Sequence, residues 1–216
     1  MNHKSYNEKK LFRRKIIISS AILLLLLISV LVLLIRHDYK TASEAVIRRA
    51  AAMQLNKDPN ELTDADFASI KSLYTFNGQE LCNIKLLEKF TSLEELNISG
   101  ITFPEIPKWM KILSQIGLMD IAKRNTLDLG PIENLENLKT ITFLNTPIRS
   151  FKPLSKIKNI ELLVIGDMEI HDFESLKNLK NIKAITLINT LNITPAKYKE
   201  LKKALPETQI MWIFGD

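Results

Sequence analysis

The chain has 216 residues, of which 46% are hydrophobic and 25% charged, with six glycines, eight prolines and one cysteine. This composition excludes collagen-like, disulfide-scaffold and mainly disordered proteins, because apolar residues are plentiful and a single cysteine forms no bridge within the chain. The net charge of +6 arises in the first forty residues, since residues 41–216 contain 22 basic and 22 acidic side chains. The sequence therefore indicates no basic face for nucleic acid.

The N-terminal region predicts a membrane anchor. Residues 16–35 are an uncharged apolar run of twenty. As a helix this run is about 30 Å long, which matches the hydrocarbon core of a bilayer. A buried core helix and a cleaved signal peptide are the alternatives; cleavable signals have shorter apolar runs of about 7–15 residues and a small-residue cleavage site, which is missing here. We expect a transmembrane helix at 16–35, between a basic tail at 1–15 and a linker at 36–40.

Basic residues beside the apolar run predict its orientation. Five Lys and Arg residues in 9–15 outnumber Arg36 and Lys40 on the other flank. Because the more basic flank stays in the cytoplasm, we expect a cytoplasmic N-terminus and an extracytoplasmic C-terminal domain. The expected location is the cell (inner) membrane, crossed once. The lone Cys82 is expected to be buried as a small apolar residue.

Apolar residues recur with a period of 22. Seven apolar positions from Leu135 to Leu154 are each matched by an apolar residue 22 positions later. Seven buried side chains gain roughly 10–20 kcal/mol, whereas ordering 22 backbone residues costs roughly 20–40 kcal/mol, so one repeat does not fold alone. Stacking is required, and one strand per coil then gives a parallel sheet. The frame extends to Ile70 and Ile193, and a step of 23 residues includes Leu113, Ile116, Met119 and Ile121.

Residues 138–148, with the spacing L-x-x-I-x-F-x-x-T-x-I, resemble the leucine-rich-repeat family in the 22-residue form of internalin-like bacterial proteins. The resemblance covers about 60–216. It implies an α/β fold, namely a leucine-rich-repeat solenoid with a curved parallel sheet and a helical N-terminal cap, preceded by one transmembrane helix. We expect the cap at 41–69, about six repeats at 70–194 and a C-terminal cap at 195–216.

Two capping-box patterns predict short helices in the N-terminal cap. Thr41 with Glu44 and Thr63 with Asp66 have the required spacing of three. We therefore expect helices over 42–55 and 64–70. Segments 44–73 and 198–214 resemble the two caps of internalin-like proteins, so both ends of the stack are expected to be closed.

The resemblance implies binding on the concave face of the sheet. The later strands place Leu144, Leu162 and Val164 near Ile188, and contiguous exposed apolar surface often marks a partner site. The alternative is an ordinary apolar share of the surface, small or covered by loop side chains. The candidate binding residues are Tyr74, Phe76, Asn97, Asp120, Thr142, Leu144, Leu162, Val164, Thr186 and Ile188.

Motifs for chemistry are missing from the sequence. The three histidines are far apart, and no metal-ligand spacing, phosphate loop or nucleophile motif occurs. We expect no enzyme activity, cofactor, metal or small-molecule substrate. The favoured function is a protein-interaction or scaffolding module at a bacterial envelope, with a protein partner. The alternative is a protein that binds cell-wall or glycan polymer, and an enzyme or enzyme subunit is less favoured.

Overall fold

The structure is a computed structural model that describes residues 3–75, 78–103, 108–115, 117 and 125–214. The chain divides into two compact units, Met1–Tyr39 and Lys40–Asp216. The first unit is helical in its described residues. Within it, Ile17–Leu34 is long and apolar enough to cross a membrane.

Helix α1 spans His3–Leu55. It includes residues 36–40, expected as a linker, and Thr41, expected as the start of a separate helix. Those two expectations are wrong, because residues 36–40 contain neither glycine nor proline and nothing in the backbone ends the helix there. In the second unit, Val46, Ile47 and Ala51 of α1 are buried in the core.

Six parallel strands form one sheet in chain order. Ile141 of β3 pairs with Leu163 of β4, which in turn pairs with Ile185 of β5. The 22-residue apolar period is thus the register of adjacent strands, which confirms the predicted solenoid. The strands are β1 Ser72–Tyr74, β2 Glu95–Ser99, β3 Thr140–Leu144, β4 Leu162–Gly166, β5 Ala184–Ile188 and β6 Gln209–Ile213.

The step from β2 to β3 is twice as long as predicted. Leu96 pairs directly with Ile141, so β2 and β3 are neighbours in the sheet. The strand expected around Asp120, at residues 118–124, lies outside the described residues. Leu113 belongs to helix α3, Lys108–Gln115. Apolar residues three apart suit a helix face as well as the back of a coil, so Leu113 fits the repeat frame although it lies in a helix. The last strand of the sheet, β6, lies within the predicted C-terminal cap.

Short helical segments pack against the core on the side of the sheet where alternate strand residues are buried. Four of these segments each bury a leucine or an isoleucine in the core. The buried residues are Leu87, Ile132, Leu154 and Leu176. They are α2 Asp64–Ser69, α4 Phe173–Leu176, α5 Pro195–Ala204 and the 3₁₀ turns Lys85–Lys89, Gly130–Ile132 and Lys152–Lys156.

Each strand from β2 to β5 is followed by a residue in the left-handed region. Their φ angles are 59° for Gly100, 45° for Asn145, 53° for Asp167 and 47° for Asn189. Each of these residues donates its N–H to a carbonyl of the next strand, for example Asn145 to Gly166 O at 2.9 Å. Glycine, asparagine and aspartate tolerate this conformation, so the chain turns out of each strand at the same place.

Charges alternate across the coils at the residue that precedes each strand from β1 to β5. This charge ladder consists of Lys71, Glu94, Lys139, Glu161 and Lys183. Glu94 Oε1 lies 3.2 Å from Lys71 Nζ, Glu94 Oε2 lies 2.6 Å from Lys139 Nζ, and Lys183 Nζ lies 2.6 Å from Glu161 Oε1. Hydrogen bonds from Lys139 and Lys183 lower the pKa of Glu94 and of Glu161 respectively.

Candidate interaction surface

The open face of the sheet consists of the strand side chains that point away from the core, and it corresponds to the predicted concave face. Strand register places these side chains in three rows across the coils. The rows are Ser72, Glu95, Thr140, Leu162, Ala184, Gln209; Tyr74, Asn97, Thr142, Val164, Thr186, Met211; and Ser99, Leu144, Gly166, Ile188, Ile213.

Eight of the ten predicted binding residues lie on the open face. The register brings Leu144, Leu162, Val164 and Ile188 together on adjacent strands, as expected. Thr186 is buried, while the other seven are exposed or half-buried. Phe76 and Asp120 lie outside the described residues. The eight are Tyr74, Asn97, Thr142, Leu144, Leu162, Val164, Thr186 and Ile188.

One end of the open face is polar. Tyr74 Oη donates to Glu95 Oε2 at 2.7 Å, and Ser72 Oγ donates to the same oxygen at 3.3 Å. The hydrogen bond to the Glu95 carboxylate raises the pKa of Tyr74 above its ordinary value. Further along β2, Ser99 Oγ donates a hydrogen bond to Asn97 Oδ1. These five residues, the polar half, present hydrogen-bonding groups around one exposed aromatic ring.

The other end of the open face is apolar. It consists of Leu144, Leu162, Val164, Ile188, Met211 and Ile213, here called the apolar half. Gly166 lies at its centre, where a Cβ atom would come within 2.6 Å of Leu144 Cδ2 and 3.3 Å of Ile188 Cβ. Leu144 and Ile188 therefore close over Gly166, and the patch is continuous across β3, β4 and β5.

Met211 and Ile213 extend the apolar half to the last strand, with 45% of each side chain exposed. Sequence reasoning missed them because residues 209–213 were assigned to the cap. The signal was present in the alternation of the segment, since Ile210 is buried and Trp212 half-buried while Met211 and Ile213 face outward. Regular alternation indicates a strand with two different faces.

Polar and charged side chains of neighbouring turns bond to one another. Asn189 Nδ2 donates to Asp167 Oδ1 at 3.0 Å, and Lys177 Nζ lies 2.7 Å from Glu174 Oε1. Within the described ranges, no group of three or more His, Cys, Asp or Glu residues is arranged to hold a metal ion. What the open face offers is hydrogen-bonding groups at one end and apolar side chains at the other.

One parallel strand per coil, the 22-residue register and the repeated left-handed turn define a leucine-rich-repeat domain. No protein-family model matches the chain, and no curated protein matches it. Among solved structures, the chain is similar to internalin C2 of Listeria monocytogenes, with 19% identity, 79% of this chain and 85% of that chain covered, and a TM-score of 0.37. It is also similar to the internalin inlF of Listeria monocytogenes, with 16% identity, coverage of 78% and 63%, and a TM-score of 0.29.

Proposed function

We propose that this chain is a membrane-anchored interaction or scaffolding module of the cell envelope that binds a partner protein on the open face. The apolar half carries the proposal. Its six side chains lie on four adjacent strands, and the register sets Leu144 and Ile188 on either side of Gly166, with Ile213 next to Ile188. Contiguous exposed apolar surface on a folded domain marks a site that another surface covers.

The anchor is residues 16–35. The side chains of Leu24, Leu27 and Leu33 in this segment are exposed, and a lipid bilayer is the environment that favours a helix with such a surface. The basic tail at 1–15 supports a cytoplasmic N-terminus and a single pass through the inner membrane. The repeats then lie outside the cytoplasm.

The polar half favours a second candidate, the binding of a cell-wall or glycan polymer. Tyr74 is 45% exposed, and Glu95 and Asn97 lie beside it on the next strand. An aromatic ring surrounded by hydrogen-bonding groups suits a sugar ring. We place this candidate second because the polar half has one such ring in its described residues. In both candidates the chain is a binding protein and not an enzyme.

The test compares a substitution in the apolar half with one outside the open face. Val164→Asp introduces a charge into the patch, whereas Asn181→Asp introduces the same charge in an exposed turn before β5. The full chain is captured from detergent-solubilised membranes after crosslinking in cells. We expect Val164→Asp to lower recovery of the partner by about tenfold or more, as at a central contact of an interface, and Asn181→Asp to leave it unchanged.

Two outcomes contradict the protein-binding proposal. The first is equal recovery with a Val164→Asp chain whose circular dichroism and melting temperature match the parent. The second is binding to purified cell-wall polymer that Tyr74→Ala abolishes and Val164→Asp does not affect, which would favour the polymer candidate.

A further inference from the structure

The two edges of the sheet differ in their capacity to pair with another strand. β1 has three residues, and its outward-facing side chains, Ser72 and Tyr74, are polar. β6 has five residues, and the segment 208–214 contains no charge and no proline. Proteins protect free edges with short strands, lysine or proline. In the part of the chain that the structure describes, β6 is the last strand and has none of these protections.

Among the described residues, helix α5 occupies one backbone acceptor at the β6 edge, and the rest of the edge is open. Gln209 N donates to Lys183 O and Ile213 O accepts from Asn189 N, both at 2.9 Å, so residues 209, 211 and 213 face β5. Residues 210, 212 and 214 therefore face the free edge, because neighbouring residues of a strand alternate. Tyr198 Oη donates to Ile210 O at 3.0 Å. The backbone of Trp212 is at the centre of the remaining edge.

The side chains around this edge are apolar and exposed. Exposure is 45% for Met211 and Ile213 and 62% for Phe214. Together these three residues expose about 300 Å² on one copy, so two copies contribute about 600 Å² of apolar surface to the contact in addition to the paired backbone. The ring centroids of Trp212 and Phe214 are 4.5 Å apart, and the centroid of Tyr198 is 5.4 Å from that of Trp212, so the edge is held by packed aromatic rings.

We propose that β6 pairs antiparallel with β6 of a second copy of this chain, with a two-fold axis at Trp212. A two-fold contact sets each residue near its own counterpart, so a charged residue at the axis would meet a like charge. Residues 208–214 contain no charged side chain, and this segment is therefore compatible with such an axis. Because β1 is the protected edge, a head-to-tail filament is disfavoured and the pairing closes as a dimer. The two six-stranded sheets become one continuous sheet.

The proposed register is tested by cysteine crosslinking. A two-fold axis at Trp212 sets Met211 opposite Ile213 of the second copy, with Cβ atoms about 4.5–5.5 Å apart, while Met211 lies diagonally, about 7–8 Å, from its own counterpart. We expect the full chain with Met211→Cys and Ile213→Cys, in a Cys82→Ala background and in detergent micelles, to form disulfide-linked dimers at least tenfold more than either single variant. Equal crosslinking of the single and double variants overturns the register.

The edge itself is tested by proline substitution. Phe214→Pro removes an N–H that faces the free edge and leaves the bonds to β5 intact, whereas Phe214→Ala removes the ring and keeps the N–H. Light scattering over a concentration series measures the dimer. We expect Phe214→Pro to raise the dissociation constant more than tenfold and Phe214→Ala to raise it less.

Two results overturn the proposal. The first is a parent chain that is monomeric at all concentrations, and the second is a Phe214→Pro variant that dimerises as the parent does. Circular dichroism of each variant establishes that the fold is retained. A dimer that survives Phe214→Pro would be formed by another part of the chain.

Discussion

Gly166 is the residue on which the continuity of the apolar half depends. It occupies a position where β2, β3, β5 and β6 have Ser99, Leu144, Ile188 and Ile213. The missing side chain leaves the space into which Leu144 leans, since a Cβ atom at 166 would lie 2.6 Å from Leu144 Cδ2. The position is defined by close approach of side chains and not by an unusual φ angle.

We predict that Gly166→Ala destabilises the domain by about 1–3 kcal/mol, the usual cost of overpacking. Leu144→Ala removes the Cδ2 atom that a Cβ at position 166 would overlap. Gly166→Ala should therefore lower the free energy of unfolding by markedly less in the Leu144→Ala background. The measurement is a double-mutant cycle of urea unfolding, in which a non-zero coupling energy is expected. Equal costs in the two backgrounds would show that Leu144 does not occupy this space.

The residues with positive φ that follow the strands form a second repeat, which the analysis of apolar positions did not include. Gly100, Asn145, Asp167 and Asn189 are all residue types that tolerate positive φ, and the last three are 22 positions apart. The sequence thus contained a polar repeat beside the apolar one. The apolar frame was enough to place the strands because burial selects those positions, but it contains no information about how each strand ends.

At the scale of elements, helix α2 was predictable because its start is local. Thr63 Oγ1 accepts from Asp66 N at 3.3 Å, and Asp66 Oδ2 accepts from Thr63 N at 2.8 Å, as the capping-box spacing predicted. The matching pattern at Thr41 has no such role, because α1 continues through it. A capping box favours a helix start only where the preceding residues leave the helix, and residues 36–40 contain neither glycine nor proline to end it.

Asp66 gives this element a pH dependence. The hydrogen bond from Lys57, followed by those from Thr63, lowers its pKa from 3.8 to about 2. A carboxyl whose pKa is lower in the folded state stabilises the fold fully above its unfolded pKa, and this stabilisation is lost as the pH falls through the folded pKa. The relevant window is therefore between about pH 4 and pH 2.

We predict that Asp66→Asn lowers the melting temperature at pH 5 and that the difference from the parent shrinks between pH 4 and pH 2, where the parent carboxyl becomes protonated. Thr63→Ala, which removes one partner of Asp66 and the cap itself, should cost about 1 kcal/mol at pH 7. Thermal unfolding followed by circular dichroism measures both. A difference between parent and Asp66→Asn that stays constant down to pH 2 would contradict the assignment.

At the scale of the whole molecule, the sequence predicted a stack of coils with one parallel strand each, and the structure has such a stack. Apolar periodicity is unambiguous where three consecutive coils keep the 22-residue step, as from β3 to β5. It fails between β2 and β3, where the step is 45 residues. The open face was predictable in its middle strands, while its extension to Met211 and Ile213 depended on β6 joining the sheet.

The membrane orientation is a prediction that belongs to this scale. Fusing a reporter enzyme that is active only outside the cytoplasm to the C-terminus should give activity, and the same fusion at the N-terminus should give none. Replacing Lys9, Lys10, Arg13, Arg14 and Lys15 with glutamine should lower the activity of the C-terminal fusion severalfold, because the charge bias that holds the tail inside is lost. Release of the C-terminal domain in soluble form would instead indicate a cleaved signal.

The charge ladder has a consequence for how such a chain gains or loses coils over evolution. Excision of residues 139–160 would bring Glu161 beside Glu94, and excision of 161–182 would bring Lys183 beside Lys139. Removing both coils together would instead set Lys183 beside Glu94 and restore the alternation. Duplication or deletion of two coils together keeps opposite charges in contact, whereas duplication or deletion of a single coil sets like charges side by side. The ladder therefore favours changes of the coil number in steps of two.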